Sequence, residues 1–136
     1  MPKPEYPAVI KIDEIEFKDG KDSRNNLLDA KETAYVHYRV TNEGKGDAYQ
    51  LLLNITQTIG SNGVRFEENT VLGDLRAGDY KIFSIPITAN STISSGEFEL
   101  LLSISEFNGF DSESVRVKFK TQEFKAPKVE LSLIHI

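Results

Sequence analysis

Short runs in which apolar and polar residues alternate strictly, broken by turn residues roughly every ten to twenty positions, restrict this chain more than any other feature. A period of two sends alternate side chains to opposite faces of an extended strand, so such a run buries one face only. In Thr33–Asn42, Ala34, Val36, Tyr38 and Val40 share one face, while Tyr35, His37, Arg39 and Thr41 share the other. Val115, Val117 and Phe119 alternate with Arg116, Lys118 and Lys120, which reads as an antiparallel strand with a basic, solvated face. Phe98, Leu100, Leu102 and Ile104 alternate with Glu97, Glu99, Leu101 and Ser103, and Phe83, Ile85 and Ile87 form another inward series. Pro86 has no N–H to give to a ladder, which predicts an outward position near a sheet edge.

Two runs break the rhythm. In Ala8–Phe17, Ile10 and Ile12 fall on one face and Ile15 and Phe17 on the other, so a bulge or a switch of sheet is expected near Asp13-Glu14. Leu51-Leu52-Leu53 interrupts Ala48–Ile59, which calls for cover on both faces or for a second bulge. The segments between, Lys18–Lys31, Asn42–Asp47, Gly60–Gly63, Arg76–Asp79, Asn90–Gly96 and Asn108–Ser112, carry Gly, Asn, Asp or Ser where turns want them. Only the short stretch Asn26–Thr33 arguably carries a helical pattern. The expectation is an all-β, immunoglobulin-like antiparallel sandwich of seven or eight strands. Its predicted core is Ile10, Ile12, Val36, Tyr38, Val40, Leu51, Leu53, Phe83, Ile85, Leu100, Leu102, Val115, Val117 and Phe119.

With 136 residues there is room for one such domain, and 39% hydrophobic against 27% charged residues suits a packed core with a wet surface. Residues 8–123 are expected to be the sandwich, 1–7 an N-terminal linker, and 124–136 a linker with an extra strand. The net charge of −5 argues against a nonspecific grip on phosphate backbones or anionic lipid, so no nucleic-acid partner is expected. No apolar run approaches the ~20 residues of a membrane helix, and Met1–Pro7 lacks a hydrophobic signal core, so neither membrane insertion nor a nascent secretory precursor is expected. The absence of Cys removes disulfides, thiolate nucleophiles and thiolate metal sites. The final run, Lys128–Ile136, is strand-like and has no partner in view. Pro127-Lys128-Val129 echoes Pro7-Ala8-Val9 at an offset of 120 residues, as if one full repeat were followed by the opening strand of the next. Alternatively, residues 129–136 complete this domain's own sheet or pair with a second molecule to give a dimer.

The segment Val36-His-Tyr-Arg-Val-Thr-Asn-Glu-Gly-Lys-Gly-Asp-Ala48, followed by Leu75-Arg-Ala-Gly-Asp-Tyr80, resembles bacterial CARDB-type modules, named for a suggested role in cell adhesion. The resemblance covers residues 8–122. It implies an immunoglobulin-like sandwich, often repeated in tandem in large extracellular or cell-envelope proteins of bacteria and archaea. There it would serve as spacer, adhesive module or companion to an enzyme, with neighbouring domains of the same chain as its partners. The residues explain the motif independently: Gly44, Gly46 and Gly78 are expected to supply positive-φ conformations, and Asn42 and Asp47 to bond their own downstream backbone. Lys18–Lys31 departs from the pattern, being longer and more charged than a hairpin loop, and leads into Leu28-Asp-Ala-Lys-Glu32.

Within that loop Asp19, Asp22, Asn25, Asn26, Asp29 and Glu32 are hard oxygen ligands of the kind calcium takes, whereas Lys21, Arg24 and Lys31 dilute the charge and the spacing fails the EF-hand pattern. Calcium at Asp19, Asp22, Asn25, Asp29 and Glu32 is therefore one reading, and a solvated turn-rich loop without cofactor the other. His37 and His135 have no ligand or base beside them in sequence, no serine sits in a Gly-x-Ser-x-Gly elbow, and Glu67-Glu68, Glu97 and Glu99 read as outward strand positions; no enzyme is expected. A protein or glycan ligand would use outward aromatics: Tyr35, Tyr49 and Tyr80 on strands, Phe107 and Phe110 at a loop tip, although one or both of the last two could instead cap the core. The leading reading is a noncatalytic structural or interaction module, and the alternative is an ancillary carbohydrate-binding module attached to a hydrolase.

Overall fold

In the computed structural model, which describes residues 6–18, 27–60 and 62–124, each alternating run becomes a strand. The strands are β1 (Ile10–Lys18), β2 (Leu27–Asp29), β3 (Thr33–Asn42), β4 (Ala48–Ile59), β5 (Val64–Arg65), β6 (Asn69–Leu75), β7 (Tyr80–Ala89), β8 (Gly96–Ser105) and β9 (Val115–Gln122). They form two sheets, one ordered β1-β3-β7-β5 and the other β2-β9-β8-β4-β6. The fold is all-β, as the periodicity requires. Nine described strands replace the expected seven or eight, because β2 and β5 are only three and two residues long, too short to show any period. The helical reading of Asn26–Thr33 is also corrected. Leu27–Asp29 runs parallel to β9 in register with Lys120–Gln122, and this pair is an exception to the antiparallel expectation.

The inward faces meet in a core that holds twelve of the fourteen predicted residues at 6% exposure or less. Phe83 and Val115 instead lie at its margin, partly buried. Phe17 from the first sheet stacks on Phe119 from the second with centroids 4.7 Å apart, and Phe98 also stacks on Phe119, at 5.0 Å. Such pairs add about 1 kcal/mol each beyond their burial. Leu28, in the three-residue β2, is fully buried, as is Ile93 in the turn after β7; neither belongs to a run long enough to reveal it.

Both parity breaks are bulges. Register slips between Asp13 and Glu16 opposite β3, with Glu14 at φ 53°, so Ile10 and Ile12 before it and Phe17 after it all reach the core side. In β4 the register opposite β6 slips between Ala48 and Leu51, with Gln50 at φ 51°, and again between Leu51 and Leu52; Leu51 and Leu53 point in and Leu52 is half-buried. Pro86 is exposed and lies where β7 runs past β5, which pairs only with Thr88 and Ala89. β1 and β9 run in the same direction, as the antiparallel ladders β1–β3 and β8–β9 and the course of the intervening strands require. The chain therefore enters the sandwich at one end, at Ile10, and leaves at the other, at Gln122.

Candidate functional site

The two segments that carry the family resemblance, some thirty residues apart in sequence, form one hydrogen-bonded corner at the end where the chain enters. Asn42 is its hub and is fully buried. Its Oδ1 accepts from the backbone N–H of Val9 (3.1 Å) and Gly44 (3.0 Å), and its Nδ2 donates to the carbonyls of Gly46 (2.8 Å) and Leu75 (3.2 Å). Its backbone N–H donates to Asp79 O at 2.9 Å, and its carbonyl accepts from Gly78 N at 2.8 Å. One amide thus ties the β3–β4 turn, the β6–β7 turn and the segment leading into β1. Buried amides require this satisfaction, and here it is complete.

The glycines act differently from expectation. Gly78 has the predicted positive φ, at 79°, but Gly44 and Gly46 do not. Their requirement is close approach: a Cβ on Gly44 would meet the backbone of Pro7, Ala8 and Val9, and one on Gly46 would meet the backbone of Tyr6. The incoming chain lies directly on this turn, and Gly46 N donates to Pro7 O at 3.1 Å. Asp47 also differs, since its Oδ1 accepts from Ala77 N (2.9 Å) in the other turn and not from its own downstream backbone.

The remaining buried polar residues are likewise structural. Glu106, 5% exposed, holds the β8–β9 turn: its carboxylate accepts from the backbone N–H of Tyr49 (2.9 Å), Asn108 (2.7 Å) and Phe110 (3.2 Å). Thr121 Oγ1 donates at 2.7 Å to Ser94 O. Glu99 corrects the outward reading. It is 4% exposed, because the irregular end of β4 brings the Thr58 hydroxyl to 2.5 Å and Lys118 stands 3.9 Å away; Glu97 is exposed as expected.

The candidate aromatics fall in two places. Tyr35 and Tyr80 are exposed on the outer face of the β1-β3-β7-β5 sheet, six positions apart along the ladder, or roughly 20 Å. Tyr80 has the Arg39 guanidinium over its ring at 5.7 Å, and Arg39 is clamped by Asp13 through contacts of 2.8 and 3.0 Å. That guanidinium holds the Asp13 carboxyl below its ordinary pKa. Tyr35 stacks against half-buried His37 at 6.4 Å. Tyr49, in β4 of the other sheet, and Phe107, in the β8–β9 turn, lie together at the entering end, joined by a 3.0 Å bond from Phe107 N to Tyr49 O. Phe107 is exposed, whereas Phe110 packs against the core, so one of the two tip phenylalanines caps it.

Of the proposed calcium ligands, Asp19, Asp22 and Asn25 lie outside the described residues, as does His135. At the loop's end Glu32 Oε1 accepts from Asp29 N at 3.3 Å. Among the described residues no group of three or more His, Cys, Asp or Glu is placed to hold a metal. Glu67 and Glu68 are exposed and border an open cleft of about 830 Å³ between the sheet margins. No helix among the described residues is long and apolar enough to cross a membrane.

No protein-family model matches the chain, and no curated protein matches it in sequence. Among solved structures it resembles the part of native Escherichia coli alpha-2-macroglobulin running from domain MG7 to the C-terminus, at 15% identity and TM-score 0.57, over 85% of this chain and 17% of that one. It therefore spans a small fraction of that protein. It resembles the CARDB domain of a Pyrococcus furiosus protein, solved in complex with di-metal ions, at 11% identity and TM-score 0.56, over 87% of this chain and 96% of that one. It also resembles AvmM, which catalyses macrocyclization in alchivemycin A biosynthesis, at 10% identity and TM-score 0.60, over 87% and 91% of the two chains. Likenesses this distant concern the fold, and the same sandwich carries different activities. The fold of this chain is the CARDB-like, immunoglobulin-like β-sandwich.

Proposed function

We propose that the chain is a noncatalytic structural and interaction module of a larger bacterial or archaeal protein, extracellular or in the cell envelope, acting as a spacer or adhesion-type domain between neighbouring domains. The observation that carries this reading is the use made of its buried polar groups. Asn42, Glu106 and Thr121 spend their polar atoms on the backbone of turns and strand ends, and Glu99 accepts from the Thr58 hydroxyl of the neighbouring strand β4. Entry and exit at opposite ends support it too, since a domain with that topology lengthens an array by its own long axis.

The test has two arms. Purified domain should turn over none of a panel of ester, peptide and glycoside substrates, and in the full-length protein an unrelated sandwich of equal length should restore what deletion of the domain removes. Turnover abolished by a single substitution would refute the reading. The carbohydrate-binding alternative rests on Tyr35, an exposed ring on an outer sheet face beside His37, and binding on a broad glycan array that Tyr35→Ala removes would favour it.

A further inference from the structure

An open groove of about 550 Å³ runs along the entering end of the sandwich between Ala8–Ile12 and the turn Gly109–Val115. One wall is the outer edge of β1, which among the described residues pairs with β3 alone, on its other side. Register fixes which backbone groups that edge offers. Glu43 N donates to Val9 O, and Asn42 N, opposite Ile10, donates away to Asp79 O. The N–H and C=O groups of Ile10 and Ile12 therefore face away from β3 and toward the groove, where a fifth strand could use them. The usable edge is short, since the bulge at Glu14 turns the strand beyond it.

The groove sets apolar side chains beside an acidic rim. Val9 is 49% exposed and Phe110 and Val115 are partly buried, while Glu43, Asp111 and Glu113 are exposed carboxylates with Lys11 as their sole basic counterpart among the described lining residues. Asp111 Oδ1 accepts from Glu106 N at 2.8 Å, which fixes that carboxylate at the rim. An extended segment lying here would meet backbone partners along one side, an apolar surface beneath and negative charge above.

We infer that this groove binds an extended, basic peptide segment of a partner protein by strand addition to β1, with alternate side chains reaching Phe110 and the others pairing with Glu43 and Glu113. The inference rests on the interaction-module reading and gives its partner a chemistry: main-chain bonds supply affinity, and the carboxylates select lysine or arginine.

The test is fluorescence polarisation with three labelled peptides, Lys-Val-Lys-Val-Lys, its glutamate counterpart, and the lysine peptide N-methylated at alternate residues. Saturable binding is expected for the first alone, weakening at least about tenfold at high salt and in the Glu43→Lys, Glu113→Lys double variant. Both substitutions are on exposed side chains, and the variant's melting temperature confirms its fold. Failure of the lysine peptide to bind, or equal binding by the N-methylated peptide or by the double variant, would overturn the groove. If the lysine peptide fails while an unrelated sandwich still replaces the domain in the full-length protein, the groove falls and the spacer reading stands.

Discussion

Asn42→Ala removes the hub of the corner while leaving every strand sequence intact. Its Nδ2 bonds to Gly46 O and Leu75 O are buried, and its Oδ1 bonds to Val9 N and Gly44 N are partly buried. An unpaired buried carbonyl costs about 1–1.5 kcal/mol, and a donor that water can reach about 0.5, so the four together amount to about 3–4 kcal/mol. With about 2.1 cal/mol/K of unfolding entropy per residue, 136 residues translate each kcal/mol into about 3–4 °C, hence a fall in Tm of about 10–14 °C. Asn42→Asp is the sharper case: it keeps the shape and the acceptor, but sets a carboxylate oxygen against two carbonyls, so its loss should exceed that of Ala at neutral pH. Calorimetry gives Tm, and native-state hydrogen exchange should show the amides of Val9 and Gly44 opening first. An alanine variant within about 3 °C of the parent, or an aspartate variant more stable than alanine, would refute the hub reasoning.

Three further outcomes follow from the same geometry. Gly46→Ala should lower stability by more than about 2 kcal/mol, since its Cβ meets Tyr6 backbone, whereas Gly78→Ala, at φ 79° with open space around it, should lose about 1; thermal melts giving the reverse order would contradict the close-approach account. Asp13, held below its ordinary pKa by Arg39, contributes stability that is present above the unfolded-state value and is lost as pH falls through the lower folded value, so Asp13→Asn should differ from the parent in Tm at pH 7 and converge with it in acid. Excess calcium against chelator should leave Tm unchanged if residues 18–32 form a solvated loop, and a calcium-dependent rise would assign Asp19, Asp22, Asn25, Asp29 and Glu32 to an ion.

Period-two patterning locates six strands and most of the core because side-chain parity is a local property of the chain, whereas Asn69–Leu75 (β6) carries no strict alternation. It could announce that something happens at Asp13-Glu14 and at Leu51–Leu53, and both proved to be bulges, since inserting one residue is the local way to change parity. It could not find β2 and β5, whose two or three residues show no period and whose pairing partners are distant in sequence. Asn42 was legible as a turn residue, yet its bonds to Val9 and Leu75 span 33 positions each, and only the tertiary fold brings them together. The same gap misread Gly44 and Gly46: the sequence marks a demand for glycine, but not that the demand comes from Tyr6 and Pro7 lying on the turn. Parity predicts a solvated Glu99 because it reports which face a residue occupies, not what that face meets; there the Thr58 hydroxyl bonds the carboxylate and Lys118 stands near it. Of the site expectations, the exposed ring of Tyr35 and the exposed tip at Phe107 are legible, while the separation of the aromatics between the outer face of one sheet and the entering end of the other is not.

The spacer account depends above all on the chain entering at one end of a rigid sandwich and leaving at the other. The sequence has no Cys, so Lys45→Cys and Glu123→Cys give a unique labelling pair, one in the β3–β4 turn and one just after β9. Electron–electron double resonance between spin labels at these positions should give one narrow distance of roughly 30–40 Å, the length of an eight- to twelve-residue strand with its flanking turns and the label arms. A distance under about 20 Å, or a broad distribution, would contradict it, because a domain whose ends meet or wander sets no spacing between its neighbours.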